Sequence, residues 1–519
     1  MKLFKILSLL LVMLITVTSL ASCFENSSGK ESSTPSGQLS SPTENTPGST
    51  PEATPEVTPQ STPESTPPAS SSSSSSNPEH SCPPVTLDKE MNLLVGTLYY
   101  DEWLDTDDGE IVGTELYNRV LRVEHNLSTE LIIDKIPSKG GDRESVLAEV
   151  KKRNESTDPN IIAHLVSTYS QFAGAITLEG RYQDINNSDY IDLDNPWWPD
   201  DLMNNSNIDG KIYFVSGDIS PTLIYETYAI FFNNTLLQKY AIENPIDLVN
   251  NHQWTFDKLI ELTSDIYDDS DNITGLSEGD FFAFNFNDNA HIKAFPFAMG
   301  IRVIEPDEDD GYVFSDSYLS QKMEGIADKM SDWFTSNPGV NNSNEVDLGY
   351  NTFKNQNCIF TVGNFAYAAF YINGLGIDYG VVPCPLYDTE QEQYYSYYGN
   401  PTSFWGVPNN VDIDDSALLL EYLGADAYTY ISPALFERAL KFKYISGEID
   451  GLSHMFDIIR DGLMFDACMF YNKSIGAAYN EFLEVLSQSS WIGQFNGFKL
   501  SSMKGTLKGV VSKLRNLKY

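Results

Sequence analysis

Three short runs of strand-forming residues, Leu93 to Leu98, Leu131 to Ile136 and Asn160 to Val166, alternate with segments whose apolar residues recur at helical spacing. Leu116, Val120, Val123 and Leu127 separate the first two at steps of four, three and four, and Val146, Leu147 and Val150 separate the second from the third. This order implies an α/β fold with an open, mostly parallel sheet flanked by helices. Ligands reach such a sheet through loops at the carboxyl ends of its strands, the positions taken here by Tyr99 to Trp103 and Ser167 to Tyr169.

The stretch from Val85 to Tyr519 exceeds the size at which one hydrophobic core stops growing, so two globular lobes are expected. Further along, Thr255 caps a helix carrying Phe256, Leu259, Ile260 and Ile266, and Leu319, Met323, Ile326, Met330 and Trp333 trace another apolar stripe. Both read as core faces, which makes Trp254 and Trp333 structural. Gly424 reads as a helix C-terminal cap and Ser432-Pro433 as the start of the next helix.

Residues before Val85 have a different character. Lys2 and Lys5 precede an apolar run, Ile6 to Val17, too short for a comfortable membrane span, so 1–22 reads as a signal peptide. Leu20-Ala21-Ser22-Cys23 resembles a bacterial lipobox, in which the cysteine becomes the acylated first residue of the mature protein. Diacylglycerol on the thiol, with palmitate as the added acyl group, would anchor it firmly, since two chains hold a protein at a bilayer where one does so marginally. From 23 to 84 the lipidated cysteine is followed by a linker of Ser, Thr, Pro and Glu, including an unbroken Ser70 to Ser76, where no core can form. At roughly 3 Å per residue such a tether reaches on the order of 180 Å.

Net charge is −41, which excludes nucleic acid as a partner because phosphate neutralisation needs clustered Lys and Arg. Cys82, Cys358, Cys384 and Cys468 show no metal-finger spacing; a Cys358 to Cys384 disulfide and buried free thiols both remain open. The C-terminus, with Lys499, Lys504, Lys508, Lys513, Arg515 and Lys518, has a basic bias that reads first as a helix docked on an acidic surface, with anionic-lipid contact as the weaker reading.

Several blocks then occur in order: Asn195-Pro196-Trp197-Trp198, Asp209-Gly210-Lys211-Ile212-Tyr213-Phe214, Ile230-Phe231-Phe232-Asn233-Asn234, Trp254-Thr255-Phe256, Tyr379-Gly380-Val381-Val382-Pro383-Cys384-Pro385 and Gly406-Val407-Pro408. Together they resemble the family 1 extracellular solute-binding proteins of bacterial ABC importers, over roughly Asn92 to Ser490. Asn234 stands where the family usually has lysine, and Cys384 where it usually has an aromatic or aliphatic residue.

The resemblance implies a two-lobed periplasmic-binding-protein type II fold with a hinge. Its lobes would be discontinuous: 85–224 and 363–408 in lobe 1, 229–360 and 410–519 in lobe 2. The chain would cross near Leu223 to Ile230, Phe360 to Phe365 and Val407 to Asn410. The implied function is a lipid-anchored extracellular receptor, a monomer without a cofactor, that closes on a mono- or oligosaccharide and delivers it to an ABC permease. A tethered glycan hydrolase and a receptor or sensor for another solute are the alternatives.

Aromatic residues make up 12% of the chain, which suits sugar recognition because pyranose C–H faces stack on rings while Asp, Glu, Asn and Gln bind hydroxyls. Tyr99, Tyr100, Trp103 and Tyr169 are candidate ligand contacts from the ends of strands, and Trp197 and Trp198 from a Pro-flanked loop. Asn364, Tyr367 and Trp405 are candidates by their place near the implied crossings. Packing in the cores is the competing reading for each.

No metalloprotease, P-loop or dinucleotide motif occurs. Gly275-Leu276-Ser277-Glu278-Gly279 has the nucleophile-elbow pattern but lacks the hydrophobic strand that should precede it, so it reads as a polar loop. Asp105 to Glu110 and Asp307 to Asp310 are acidic runs without EF-hand order, read as solvated loops.

Overall fold

The computed structural model describes residues 85–270, 277, 279–286, 289–341, 351–372, 374–435, 452–486 and 490–518. The signal segment, Cys23, the linker and Cys82 lie outside the described residues.

Strands β1 (Glu90–Thr97), β2 (Glu130–Pro137) and β3 (Leu165–Tyr169) run parallel, with β1 in the middle, Leu93 opposite both Ile133 and Leu165. Met91 to Val95 are buried, as a central strand covered on both faces requires. The covering helices are Ile111–Leu127 and Arg143–Asn154, with Leu116, Val123, Leu127, Val146, Leu147 and Val150 turned inward. β3 starts five residues after its expected onset at Asn160. Asp158 holds a turn there, its carbonyl accepting from the Ile161 and Ile162 N–H and its carboxylate from that of Asn160.

Among the described residues eight strands follow before the chain returns to this sheet: β4 (Tyr228–Asn233), β5 (Tyr267–Asp268), β6 (Phe281–Asn285), β7 (Ile304–Asp307), β8 (Gly311–Phe314), β9 (Val340–Asn341), β10 (Cys358–Asn364) and β11 (Tyr379–Val382). Six form a mixed sheet in the order β11-β4-β10-β6-β5 with β9 also on β6, while β7 and β8 pair with each other. β12 (Ser403–Gly406) then joins the first sheet antiparallel to β3.

The chain leaves the first sheet through the short helix Pro221–Tyr225 and enters β4 at Tyr228. It does not cross at Phe360 to Phe365. β10 is one continuous strand, bonded antiparallel to β4 and parallel to β6, and backbone groups committed on both sides leave no place to depart. β11 extends the same sheet along β4, so the segment 363–408 expected in lobe 1 is divided: 379–382 belong to the six-stranded sheet and 403–406 to the four-stranded one. The return lies between Tyr397, whose carbonyl accepts from Tyr228 N–H, and Ser403; Gly399 N–H donates to Glu226 O on the way. Nor does the chain cross at Val407 to Asn410. Asn409 and Asn410 are held by Asn154, Gly180, Arg181 and Arg153 of the first sheet's side, and the following helix Ile413–Asp426 packs on Ile111–Leu127.

A buried carboxylate fixes the exit and the return together. Glu102 accepts from Thr222 N–H at 2.8 Å and from Ser403 Oγ at 2.8 and 3.0 Å, while Arg119 donates to the Glu102 carbonyl and lies 3.9 Å over the Trp103 ring. Burial raises the Glu102 carboxyl above its ordinary range, with the Thr222 and Ser403 bonds and Arg119 opposing.

The helix Phe256–Thr263 is capped by Thr255 Oγ1 as expected, but stops before Ile266 because Ser264 is extended and Asp265 takes φ +60°. The helix Gln321–Ser336 buries Met323, Ile326, Met330 and Trp333 after an N-cap at Ser320, and Trp254 is buried too. Gly424 is not a cap. It lies inside Ile413–Asp426, against the paired indoles, where a Cβ would come within 2.7 Å of Trp197 and 3.0 Å of Trp198. Ser432-Pro433 is no helix start either: Ser432 is helical at φ −62°, ψ −43°, and the chain winds on from Asp426 through π-type turns at Ala427–Ile431. A proline contributes no N–H, and wider turns are one way for a helix to continue around it. Cys358, Cys384 and Cys468 are buried free thiols.

Gly424→Val should therefore destabilise the fold by about 1–3 kcal/mol through overpacking, read as a lowered urea midpoint at constant m-value. An unchanged midpoint would show that the two indoles can move aside freely.

Candidate functional site

Parallel pairing puts the carboxyl ends of β1 and β3 on one side of the first sheet, and with them Tyr99, Tyr100 and Tyr169. β12, running the other way, brings Asn400 to the same end, where its carbonyl accepts from Ser170 Oγ at 3.0 Å. From the second sheet, β10 ends at Asn364 and the helical turns that follow carry Phe370 and Tyr371. Tyr225 and Glu226 stand between, on the crossing itself.

These groups meet. Tyr100 stacks on Phe370 with centroids 5.0 Å apart and planes 8° apart, and Tyr225 touches both rings at 5.1 and 5.3 Å. One ring comes from each sheet and one from the crossing. Beside them Tyr99, Phe370 and Tyr371 are each more than half exposed, at 58, 55 and 55%. Lys139 approaches Tyr99, its Nζ 4.9 Å from the ring centre. Half-buried Tyr169 closes the inner side, its phenol held above its usual range by burial and by the nearby Tyr99 and Glu226.

Glu226, which follows Tyr225 in the chain, is a buried acid beside these rings. Its carboxylate accepts from Asn364 Nδ2 at 3.1 Å, and Gly399 leaves it room, since a Cβ there would lie 2.6 Å from Oε2. Burial pushes the carboxyl from 4.5 up to about 7, against the opposing pull of the Asn364 bond. The folded state therefore keeps a proton that the unfolded state loses near pH 4.5, so stability falls as pH rises through that interval, by about 3 kcal/mol for this group. Glu226→Gln removes the ionisation. The variant should match wild type in urea midpoint near pH 4 and exceed it increasingly as the pH approaches about 8; parallel pH profiles would count against a buried, neutral Glu226.

Of the residues expected to touch ligand, Tyr100 joins this ring cluster, and Tyr99 and Tyr169 lie beside it. Trp103, Tyr367 and Trp405 do not. Trp103 packs edge-on to Trp405 at 5.7 Å beneath Arg119, and Tyr367 packs on Phe231 and Phe353, all buried. Trp197 and Trp198 also belong to the core; the Trp198 Nε1–H donates to Glu421 at 3.0 Å. Asn364 is buried, capping the next turn through the Tyr367 N–H while it binds Glu226. Tyr225, Glu226, Phe370, Tyr371 and Asn400 escaped sequence reasoning. The signal for Glu226 was there: a lone acid two residues before the run Tyr228 to Phe232, with no charged residue in it.

A separate cavity of about 620 Å³ is bordered by Trp198, Asp200, Asp218, Tyr428 and Arg460, and shares no lining residue with the groove. Asp218 there is buried, bonded to Ser432 and, at 2.8 Å, to Arg460. The acidic runs fold back on themselves, Asp107 accepting from Gly109 and Thr114 and Asp307 from Asp309 and Asp310. Among the described residues no three His, Cys, Asp or Glu side chains converge as a metal ion would require. The Gly275 to Gly279 motif lies mostly outside the described residues; the Ser277 N–H donates to Asp280 at 2.9 Å.

Two α/β sheets joined by crossing segments, with the Tyr100, Tyr225 and Phe370 rings meeting where they join, make the two-lobed type II fold of periplasmic binding proteins. Among solved structures the chain is similar to UspC of Mycobacterium tuberculosis, at 12% identity and a TM-score of 0.50 over 81% of this chain and 100% of that one. It is also similar to the maltose-binding periplasmic protein MalE of Listeria monocytogenes in complex with maltose, at 14% identity and a TM-score of 0.49 over 83% of this chain and 99% of that one. A family 1 extracellular solute-binding protein of Bifidobacterium longum subsp. infantis stands at 14% and 0.49 over 82% and 99%. At 12% identity the likeness to UspC is one of fold. No protein-family model matches the sequence, and no curated protein matches it.

Proposed function

We propose that the protein is an extracellular receptor that captures a mono- or oligosaccharide in the groove between its two sheets and hands it, unaltered, to an ABC permease. The observation that carries this reading is the meeting of Tyr100, Tyr225 and Phe370 from three parts of the chain beside Glu226 and Asn400. Rings offer flat apolar faces for the C–H side of a pyranose, and a carboxyl and an amide can exchange hydrogen bonds with its hydroxyls. A neutral carboxyl both donates and accepts, which suits a hydroxyl better than a carboxylate does.

The same groove gives capture its motion. A ligand that slides between Tyr100 and Phe370 replaces their mutual stacking with stacking on itself, so its contacts with the two sheets differ between open and closed arrangements. That difference is what shifts a hinge equilibrium. In titration calorimetry against a sugar panel, at least one mono- or oligosaccharide should bind. Tyr169→Ala should weaken that binding by roughly 1–3 kcal/mol if the ring stacks on ligand. Binding confined to peptides or metal ions would end the carbohydrate reading, and shortened glycan products would replace it with a hydrolase.

The receptor would be held at the outer face of the cell membrane through acylated Cys23, with the linker as a tether and the folded part a monomer. Among the described residues no helix is long and apolar enough to cross a membrane. Cys23→Ser should move the protein from the membrane fraction to the medium or to an unprocessed precursor. Mature wild-type protein found wholly soluble with a free N-terminal cysteine would contradict the anchor.

A further inference from the structure

The carboxy-terminal helix Gly497–Arg515 is docked by one face and bare on the other. Met503, Leu507, Val510, Val511 and Leu514 are buried, whereas Lys504, Lys508 and Lys513 are exposed, with exposed Lys518 just beyond. None of these four lysines has an ion-pair partner among the described residues, while their neighbours do: Lys499 pairs with Glu481 at 2.5 Å and Arg515 with Asp209 at 2.8 Å. At 3.6 residues per turn, Lys504 and Lys508 flank one side of an outer strip and Lys513 the other. The strip is made of small residues, and nothing lies within 4 Å of where a Cβ on Gly505 or Gly509 would sit, so no other described part of the chain covers it. Phe498, on the first turn, is 85% exposed, more than any other large apolar side chain among the described residues.

We propose that this face docks on an anionic phospholipid bilayer, the membrane to which Cys23 would tether the chain. A group of about four basic side chains on one helix is the size that binds acidic headgroups. Phe498 distinguishes a bilayer from a soluble polyanion, since an exposed ring gains by entering an apolar interface and gains nothing from phosphate alone. The chain's charge of −41 does not forbid the contact. At physiological salt, charges farther off than about 8 Å are screened, so the face turned to the lipid decides. The acids nearest the helix lie at its two ends, Glu481 on Lys499 and Asp209, Asp307 and Asp310 around Arg515. The central lysines are left to the lipid. With a tether of some sixty residues the domain can reach its own membrane.

The inference rests on the anchoring reading only for which membrane is met, and it is independent of sugar binding. Its test therefore uses the Cys23→Ser chain freed of residues 1–22, so that neither lipid nor the apolar run Ile6 to Val17 can bind vesicles. This protein should co-sediment with mixed phosphatidylglycerol and phosphatidylcholine vesicles, not with phosphatidylcholine alone, and high salt should release it. Lys504→Gln, Lys508→Gln and Lys513→Gln together should weaken binding by roughly five-fold per lysine, with an unchanged melting curve. Phe498→Ser should weaken vesicle binding while leaving binding to soluble polyphosphate untouched. Failure to sediment with the acidic vesicles, or equal sedimentation of the triple variant, would overturn the proposal; so would polyphosphate binding without vesicle binding.

Discussion

The arrangement of the two sheets depends on a buried acid whose oxygens bond to no basic side chain. Glu102 follows β1, Thr222 opens the short helix that leaves the first sheet, and Ser403 begins the strand that returns to it; one carboxyl joins all three. Burying an acid is costly unless its lone pairs are satisfied, and here Thr222 and Ser403 satisfy them while Arg119 supplies opposite charge nearby. Positions 102, 222 and 403 are remote in sequence, so the bonds form only when the first sheet is complete. The crossing is thus tied to one sheet at its base, and the other sheet can be carried at its far end.

That division explains the two fates of the aromatic residues. Rings below the crossing are fixed by partners that leave no free face: Trp103 lies between Arg119 and Trp405, and Trp197 and Trp198 press on Gly424. Rings above it meet one another across the groove and keep exposed faces. A ring that stacks on a ring of the opposite sheet is held weakly, by about 0.5–1.5 kcal/mol beyond its area, which is small enough for a ligand to displace.

Much of the first sheet was legible because β1, β2 and β3 obey a local rule: short apolar runs alternating with helices whose inward residues sit three or four apart. The crossings were not. The family resemblance placed one at Phe360 to Phe365, yet the strand runs on to Asn364 despite Gly363 and Asn364, because β4 and β6, many residues away, supply its hydrogen-bond partners. The groove was half legible for a related reason. Tyr99, Tyr100 and Tyr169 lie at or just after strand ends and could be placed by strand order; Phe370 and Tyr371 fell in the segment 363–408, expected wholly in lobe 1. Tryptophan misled, because a large ring in a loop looks available until its partner is known. Glu421 for Trp198 and Arg119 for Trp103 are partners that spacing alone does not reveal.

Glu226 shows why a groove acid and a crossing acid can differ in role though both are buried. Glu102 has its oxygens occupied by donors from the same sheet and is committed to structure. Glu226 has one donor among the described residues, Asn364, from the second sheet, and lies near Tyr169 of the first. Its proton near neutrality follows from that incomplete satisfaction: without further donors, the neutral form is the cheaper one to bury. A hydroxyl-bearing ligand in the groove could accept that proton's hydrogen bond or donate to the free lone pairs, completing what the fold leaves unfinished. The stabilisation would be largest with both sheets in place around the acid, because Asn364 of the second sheet bonds it and Tyr169 of the first lies near it. Ligand recognition and closure would then draw on the same carboxyl, which gives a physical reason for an acid at the point where the chain passes between its sheets.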